Sequence, residues 1–227
     1  MRAAALAAVA TALVAAPAGA ATIDHLVLGV ADLNAGVAQF RALTGVEPVF
    51  GGKHPMGGTQ NALASLGGGT YLEIIAPVPG EKLDARFAQL AGFEQLTPLT
   101  WAVGVADAAA VVPELQALGH KALGPFPGSR VKPDGQVLEW KIVAIESTNA
   151  ALPFFIEWKA GAAHPSTTSP GGCTLDALKL HDAEPEPLKR LGERLGLPLT
   201  VEQAAAPGLA FKLQCPKGAV ELAAAKP

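Results

Sequence analysis

The stretch Ile23-Asp24-His25-Leu26-Val27-Leu28 decides the reading of this chain, because it alternates like a β-strand and then recurs twice. Alternation with a period of two sends successive side chains to opposite faces of a sheet. Asp32 and Asn34 follow as helix-capping residues, a helical run covers 35–43, and Gly45 stops it. Three short strands at 47–50, 61–66 and 71–76, separated by glycine-rich loops, complete a β-α-β-β-β unit. The pattern restarts at Leu99-Thr100-Trp101-Ala102-Val103-Gly104-Val105, with Asp107 ahead of a helix to Leu118, a Pro/Gly loop, and strands at 137–145 and 153–158. It restarts again at Leu175-Asp176-Ala177-Leu178-Lys179-Leu180, followed by a helix over 186–195 and strands near Leu199, 209–214 and 219–223.

Aligning the three opening strands places His25, Trp101 and Ala177 in one register, each 76 residues after the last. Each unit also closes on an apolar strand that carries one glutamate: Glu73, Glu157 and Glu221. A charge in such a strand is costly unless it is paired or bound. The chain therefore divides into a first module at 22–80, a second at 97–160, a linker at 161–172 and a third, degenerate module at 173–224. The fold class is α+β.

Composition limits the function classes. Of 227 residues, 50% are hydrophobic and 16% charged, which is ample for a folded core. With 17 basic against 20 acidic residues and no Lys/Arg run, nothing favours nucleic acid. Residues 1–21 have the layout of a secretory signal peptide: Met1-Arg2, an alanine-rich apolar run, Pro17, then Ala18-Gly19-Ala20. The expectation is a periplasmic or secreted protein with no membrane contact after cleavage. In an oxidising compartment Cys173 and Cys215 either pair or stay apart, and their spacing does not decide which.

Several polar residues stand out, each with a functional and a plain reading. His54, beside Pro55 and among Gly51, Gly52, Gly57 and Gly58, is either a general base or a surface histidine in a flexible loop. Thr59 and Asn61 share a face by alternation, so they line a cavity or cap their own loop. Arg130 and Trp140 flank the Asp134-Gly135 turn, as a cationic and aromatic wall for an anionic substrate or as an ordinary solvated hairpin.

Taken together, Asp24-His25-Leu26-Val27-Leu28, Gly51-Gly52-Lys53-His54-Pro55, Gly58-Thr59-Gln60-Asn61-Ala62-Leu63, Leu66-Gly67 and Tyr71-Leu72-Glu73 resemble the glyoxalase-like proteins of the vicinal oxygen chelate superfamily. Arg130, Leu138-Glu139-Trp140 and Leu152-Pro153-Phe154-Phe155-Ile156-Glu157-Trp158 continue the likeness, which runs from about Ile23 to Pro165. The resemblance implies tandem β-α-β-β-β modules in a curled mixed sheet, with helices outside and a divalent metal inside. It implies His25, Glu73 and Glu157 as metal ligands, with Trp101 at a fourth position that an indole cannot fill. Trp101 would then be an apolar wall beside the substrate, together with Thr59, Asn61, Arg130 and Trp140, and His54 the catalytic proton carrier. Without a metal, His25 and Glu73 hydrogen-bond across neighbouring strands instead. The implied function is a lyase, isomerase or hydrolase acting on a small oxygen-bearing substrate, or a non-catalytic module that sequesters a small molecule. A third module without a partner raises the prospect of a homodimer.

Overall fold

A computed structural model describes residues 21–223; most of the signal-peptide expectation at 1–21 therefore lies outside the described residues. The first unit is β1 (Thr22–Gly29), α1 (Leu33–Thr44), β2 (Val49–His54), β3 (Thr59–Ser65) and β4 (Tyr71–Pro77). Asp32 caps α1 by accepting a hydrogen bond from the Ala35 amide, and Gly45 ends it at φ +82°, a left-handed geometry that glycine adopts without a Cβ penalty. A 3₁₀ segment, Ala85–Gly92, leads to the second unit of β5 (Thr97–Gly104), α2 (Ala108–Ala117), β6 (Ala122–Val131), β7 (Val137–Ile145) and β8 (Phe154–Trp158). A short helix α3 (Pro165–Thr168) lies in the linker. The third unit is β9 (Thr174–Asp182), α4 (Pro185–Leu195), β10 (Thr200–Gln203), β11 (Gly208–Cys215) and β12 (Gly218–Ala223).

The first two units share an eight-stranded sheet in the order β2-β3-β4-β1-β5-β8-β7-β6. Within each half the first strand pairs parallel with the last, and β1 joins β5 antiparallel at the centre. The sheet curls until its two edges, β2 and β6, come together. Gly51 and Gly52 make that approach possible: a Cβ at 51 would stand 2.3 Å from Arg130 Nη1, and one at 52 only 2.5 Å from the Val131 carbonyl.

Three differences from the sequence expectations bear on the site. His54 is the last residue of β2, opposite Thr59, rather than part of a flexible loop. The Pro/Gly stretch before the Asp134-Gly135 turn is strand β6, whose Pro125 and Pro127 would disqualify a central strand but are tolerated at a sheet edge. The third unit repeats the element order but not the strand order: its sheet runs β10-β9-β11-β12, so β9 pairs with the second and third strands of its unit instead of the last.

Alternation divides the barrel's side chains into two environments. Leu26, Leu28, Leu72, Ile74, Ala62 and Ala64 point outward into one core that also takes Phe40 of α1, Leu115 of α2 and Leu180 and Phe211 of the third unit. The third unit thus buries its apolar face on the barrel itself. Inside, Val27, Ile75 and Leu90 pack with Leu99, Phe87, Phe93 and Phe154, so the 3₁₀ segment plugs one end with apolar groups.

Candidate functional site

Beyond that plug the interior is polar. Thr59 and Asn61 on β3, Glu73 on β4, His25 on β1 and Arg130 on β6 are all buried, while His54 at the end of β2 keeps partial exposure. Buried polar groups require partners, and here the partners are mostly one another. Asn61 Nδ2 donates to Glu73 Oε1 at 2.6 Å, and Asn61 Oδ1 accepts from Arg130 Nη1 at 2.7 Å. Those two bonds fix which way the amide points. Its second N–H then faces His54 Nε2 at 3.4 Å, which assigns Nε2 as the acceptor and leaves Nδ1–H to donate to Thr59 Oγ1 at 2.9 Å.

His54 and His25 approach the two oxygens of Glu73 from different sides, at 3.7 Å from Oε1 and 3.6 Å from Oε2. Burial alone would raise the Glu73 carboxyl, but His54, His25, the Asn61 bond and Arg130 outweigh it and hold the group below its usual range. Glu73 is an anion at neutral pH. Burial lowers His54 more than Glu73 raises it, with Arg130 and His25 adding to the decrease, so its imidazole is neutral there.

A second layer orients His25. Its Nδ1 contacts Asp24 Oδ1 at 2.6 Å, and its ring stacks on Tyr71 at 4.5 Å between centroids with Phe154 edge-on at 5.3 Å. Asp24 occurs where the β1–β5 register slips, and its other oxygen receives Trp158 Nε1–H at 3.0 Å and His164 Nε2 at 3.1 Å. Burial opposes ionisation of Asp24, but the bonds and charges of His164 and His25 prevail and keep it strongly acidic. The Ser166 amide donates to His164 Nδ1 at 3.3 Å, which leaves Nε2–H for Asp24. Asp24, Trp158 and His164 were outside the sequence-predicted site. Their signal was faint: an acid next to a strand histidine, and a His-Pro pair opening the linker.

Trp140 does reach the cluster, edge-on to His54 at 6.3 Å and tilted against Trp158 at 5.4 Å. Trp101 does not. Leu99 faces inward, but the register shift opposite it reverses the alternation, so Trp101 pairs with Leu26, lies in the outer core and donates Nε1–H to the Ala151 carbonyl at 2.9 Å. The interior residue across from His25 is Ala102. Glu157 is likewise on the outer face, accepting from the Ala108 amide at the start of α2 at 2.9 Å and from Lys141 at 2.8 Å. It caps a helix, and its carboxyl is held low first by Lys141 and then by that amide.

These placements bear on the implied divalent metal. Pairing of β5 with β8 puts Phe154 beside Ala102 and Ile156 beside Gly104, so the second half offers apolar side chains where the first offers His25 and Glu73. Between His54 and Glu73 an N–H of Asn61 occupies the space that a shared cation would need. Among the described residues no three His, Cys, Asp or Glu side chains are grouped to hold an ion. The donor set does not fit the superfamily's four-ligand centre. It forms a connected hydrogen-bonded network instead.

A closed pair of β-α-β-β-β halves with a polar interior is the architecture of the vicinal oxygen chelate superfamily. A family model described as a glyoxalase-like domain matches residues 23–196, and the chain belongs to that family. No curated protein matches it. Among solved structures, a hypothetical protein from Staphylococcus aureus is similar over 82% of this chain and 88% of its own, at 14% identity and a TM-score of 0.65, which speaks to the fold alone. Methylmalonyl-CoA epimerase from Mycobacterium tuberculosis aligns over 66% of this chain and 94% of its own, at 19% identity and a TM-score of 0.45. An epimerase from Streptomyces coelicolor with 2-nitronate-propionyl-CoA aligns over 62% and 97%, at 22% identity and 0.45.

Proposed function

We propose that the barrel binds a small oxygen-bearing molecule and moves a proton on it, in chemistry of the isomerase or lyase kind, with His54 as proton carrier. The supporting observation is His54 itself: a neutral imidazole beside the ionised Glu73, whose Nε2 lone pair is met only by the long 3.4 Å contact from the Asn61 amide. When a substrate C–H displaces that contact and Nε2 takes its proton, the new imidazolium gains an adjacent carboxylate, and the charge left on the substrate oxygen develops in the field of Arg130. Thr59 holds the other ring nitrogen in its tautomer. The apolar plug of Leu90 and Phe93 keeps bulk water from one end.

The test is solvent exchange. Small carbonyl compounds such as hydroxyacetone, incubated with the protein in D2O, are expected to exchange their α-protons, followed by NMR. His54→Gln is expected to slow that exchange by about 10²- to 10⁴-fold. Binding without exchange, unaltered by the substitution, would instead support a sequestering module. The half-buried Trp140, Trp158 and Phe154 favour that second reading, since they give a ligand apolar surface without chemistry.

We also propose that the protein is exported. The leader-like residues 1–21 support this, as does the Cys173–Cys215 disulfide, a bond that persists in oxidising compartments. The natural protein is then expected to begin at Ala21 or Thr22 by mass spectrometry.

A further inference from the structure

Arg130 is the one member of the cluster that carries a permanent charge without a direct ion pair. It is 4% exposed, yet among the described residues it has no carboxylate within ion-pairing distance and makes a single hydrogen bond, to the neutral amide of Asn61. Its Nε is fully buried with no partner at all. A guanidinium carries five N–H donors, and taking it out of water without an anion is among the costlier things a fold can do. Glu73, the nearest candidate to balance it, is engaged by Asn61, His25 and His54 instead.

The fold also makes room for this side chain deliberately. Arg130 points inward from β6 just where the barrel closes, and the space beside it exists only because residues 51 and 52 lack side chains. A Cβ at 52 would stand 2.9 Å from Arg130 Cγ and 3.0 Å from Cδ, and that residue has φ +139°. Two glycines in an edge strand thus shelter one arginine.

We infer that Arg130 is the receptor for a carboxylate group carried by the small molecule that the barrel takes. The inference rests on the proposed function of the same site and names its substrate class: a short carboxylic acid. A planar monoanion matches the guanidinium fork through two parallel N–H···O bonds. A phosphate dianion matches it less well, because Glu73 and Asp24 already place two negative charges in the interior.

Pyruvate and its methyl ester separate the possibilities, because they differ in charge and little in shape. In calorimetric titrations the wild-type protein is expected to bind pyruvate about ten-fold or more tightly than the ester, the ratio that a charged hydrogen bond supplies. Arg130→Gln is expected to erase the difference and Arg130→Lys to keep part of it, with circular dichroism confirming that each folds. The wild-type ratio decides the matter even if both variants fail to fold. Equal affinity for the two ligands overturns the carboxylate receptor while leaving a binding barrel in place, and binding of neither overturns it as well. Loss of α-proton exchange in His54→Gln addresses the proton-transfer reading separately, so the two can fail independently.

Discussion

His54 and Glu73 make the site sensitive to acid, and the direction follows from their shifts. Both are depressed in the folded protein, so the unfolded chain binds more protons than the native one over the interval between the two values. For His54 this contribution is complete above the ordinary value of 6.5 and fades as the pH falls below it through the lower folded value. For Glu73 and Asp24 the loss begins near 4.5 and 3.8 and continues downward. Thermal midpoints measured from pH 8 to pH 3 are therefore expected to decline in two stages. His54→Gln should weaken the first stage, which begins near pH 6.5 and to which the depressed His120 also contributes, and spare the second. A profile flat to pH 4.5 in the wild type would contradict a neutral buried His54. At this scale the sequence was partly legible. Thr59 and Asn61 were readable as a polar pair on alternating strand positions, His25 and Glu73 through the repeat and the family resemblance, and His54 only as a loop residue, whereas the bond between Asp24 and His164 was not readable, because it joins residues 140 positions apart.

At the scale of elements, one register shift decided which residues belong to the site. A 76-residue period matches His25 to Trp101 in sequence, but side-chain direction depends on the count of residues since the last slip, and a slip opposite Leu99 reverses it. No composition signal marks that slip. Strand β6 was hidden for a different reason: Pro125 and Pro127 remove ladder donors, so the segment has the sequence of a loop although it forms the edge that closes the barrel. A pair of substitutions on opposite faces tests this assignment. Gly51→Ala puts a methyl group 2.3 Å from Arg130 Nη1 and 2.4 Å from Asn61 Oδ1, and it is expected to weaken pyruvate binding about ten-fold by displacing the guanidinium. Glu157→Gln removes a charge that caps α2 on the outer face and is expected to leave that binding unchanged, at a stability cost of about 1 kcal/mol or less. Calorimetric titration with folded-state checks reads both. Loss of binding in Glu157→Gln would return that residue to the interior.

At the scale of the molecule, the third unit has abandoned the strand order of the first two while keeping its attachment to them. Two ties hold it. Its apolar residues Leu178, Leu180, Phe211 and Leu213 belong to the same core as Leu26 and Trp101, and the Lys217 amide donates to the Thr44 carbonyl at the end of α1. The Cys173–Cys215 disulfide is internal to that unit: it fastens the residue before β9 to the end of β11 across 42 positions, and in the chain-entropy model closing a loop of that size contributes about 4 kcal/mol. A shared core means that the third unit cannot detach without exposing the outer faces of β1 and β5, so the described chain should melt as one body. Replacing both cysteines with serine is therefore expected to lower the calorimetric midpoint by about 10 °C while preserving a single transition. Pyruvate binding at a temperature below that midpoint should be unaffected, because the interior of the barrel and the disulfide lie on different sides of the sheet. Two separate transitions in the double-serine protein would show that the third unit, once its internal crosslink is gone, unfolds independently of the barrel and that the shared core does not couple them.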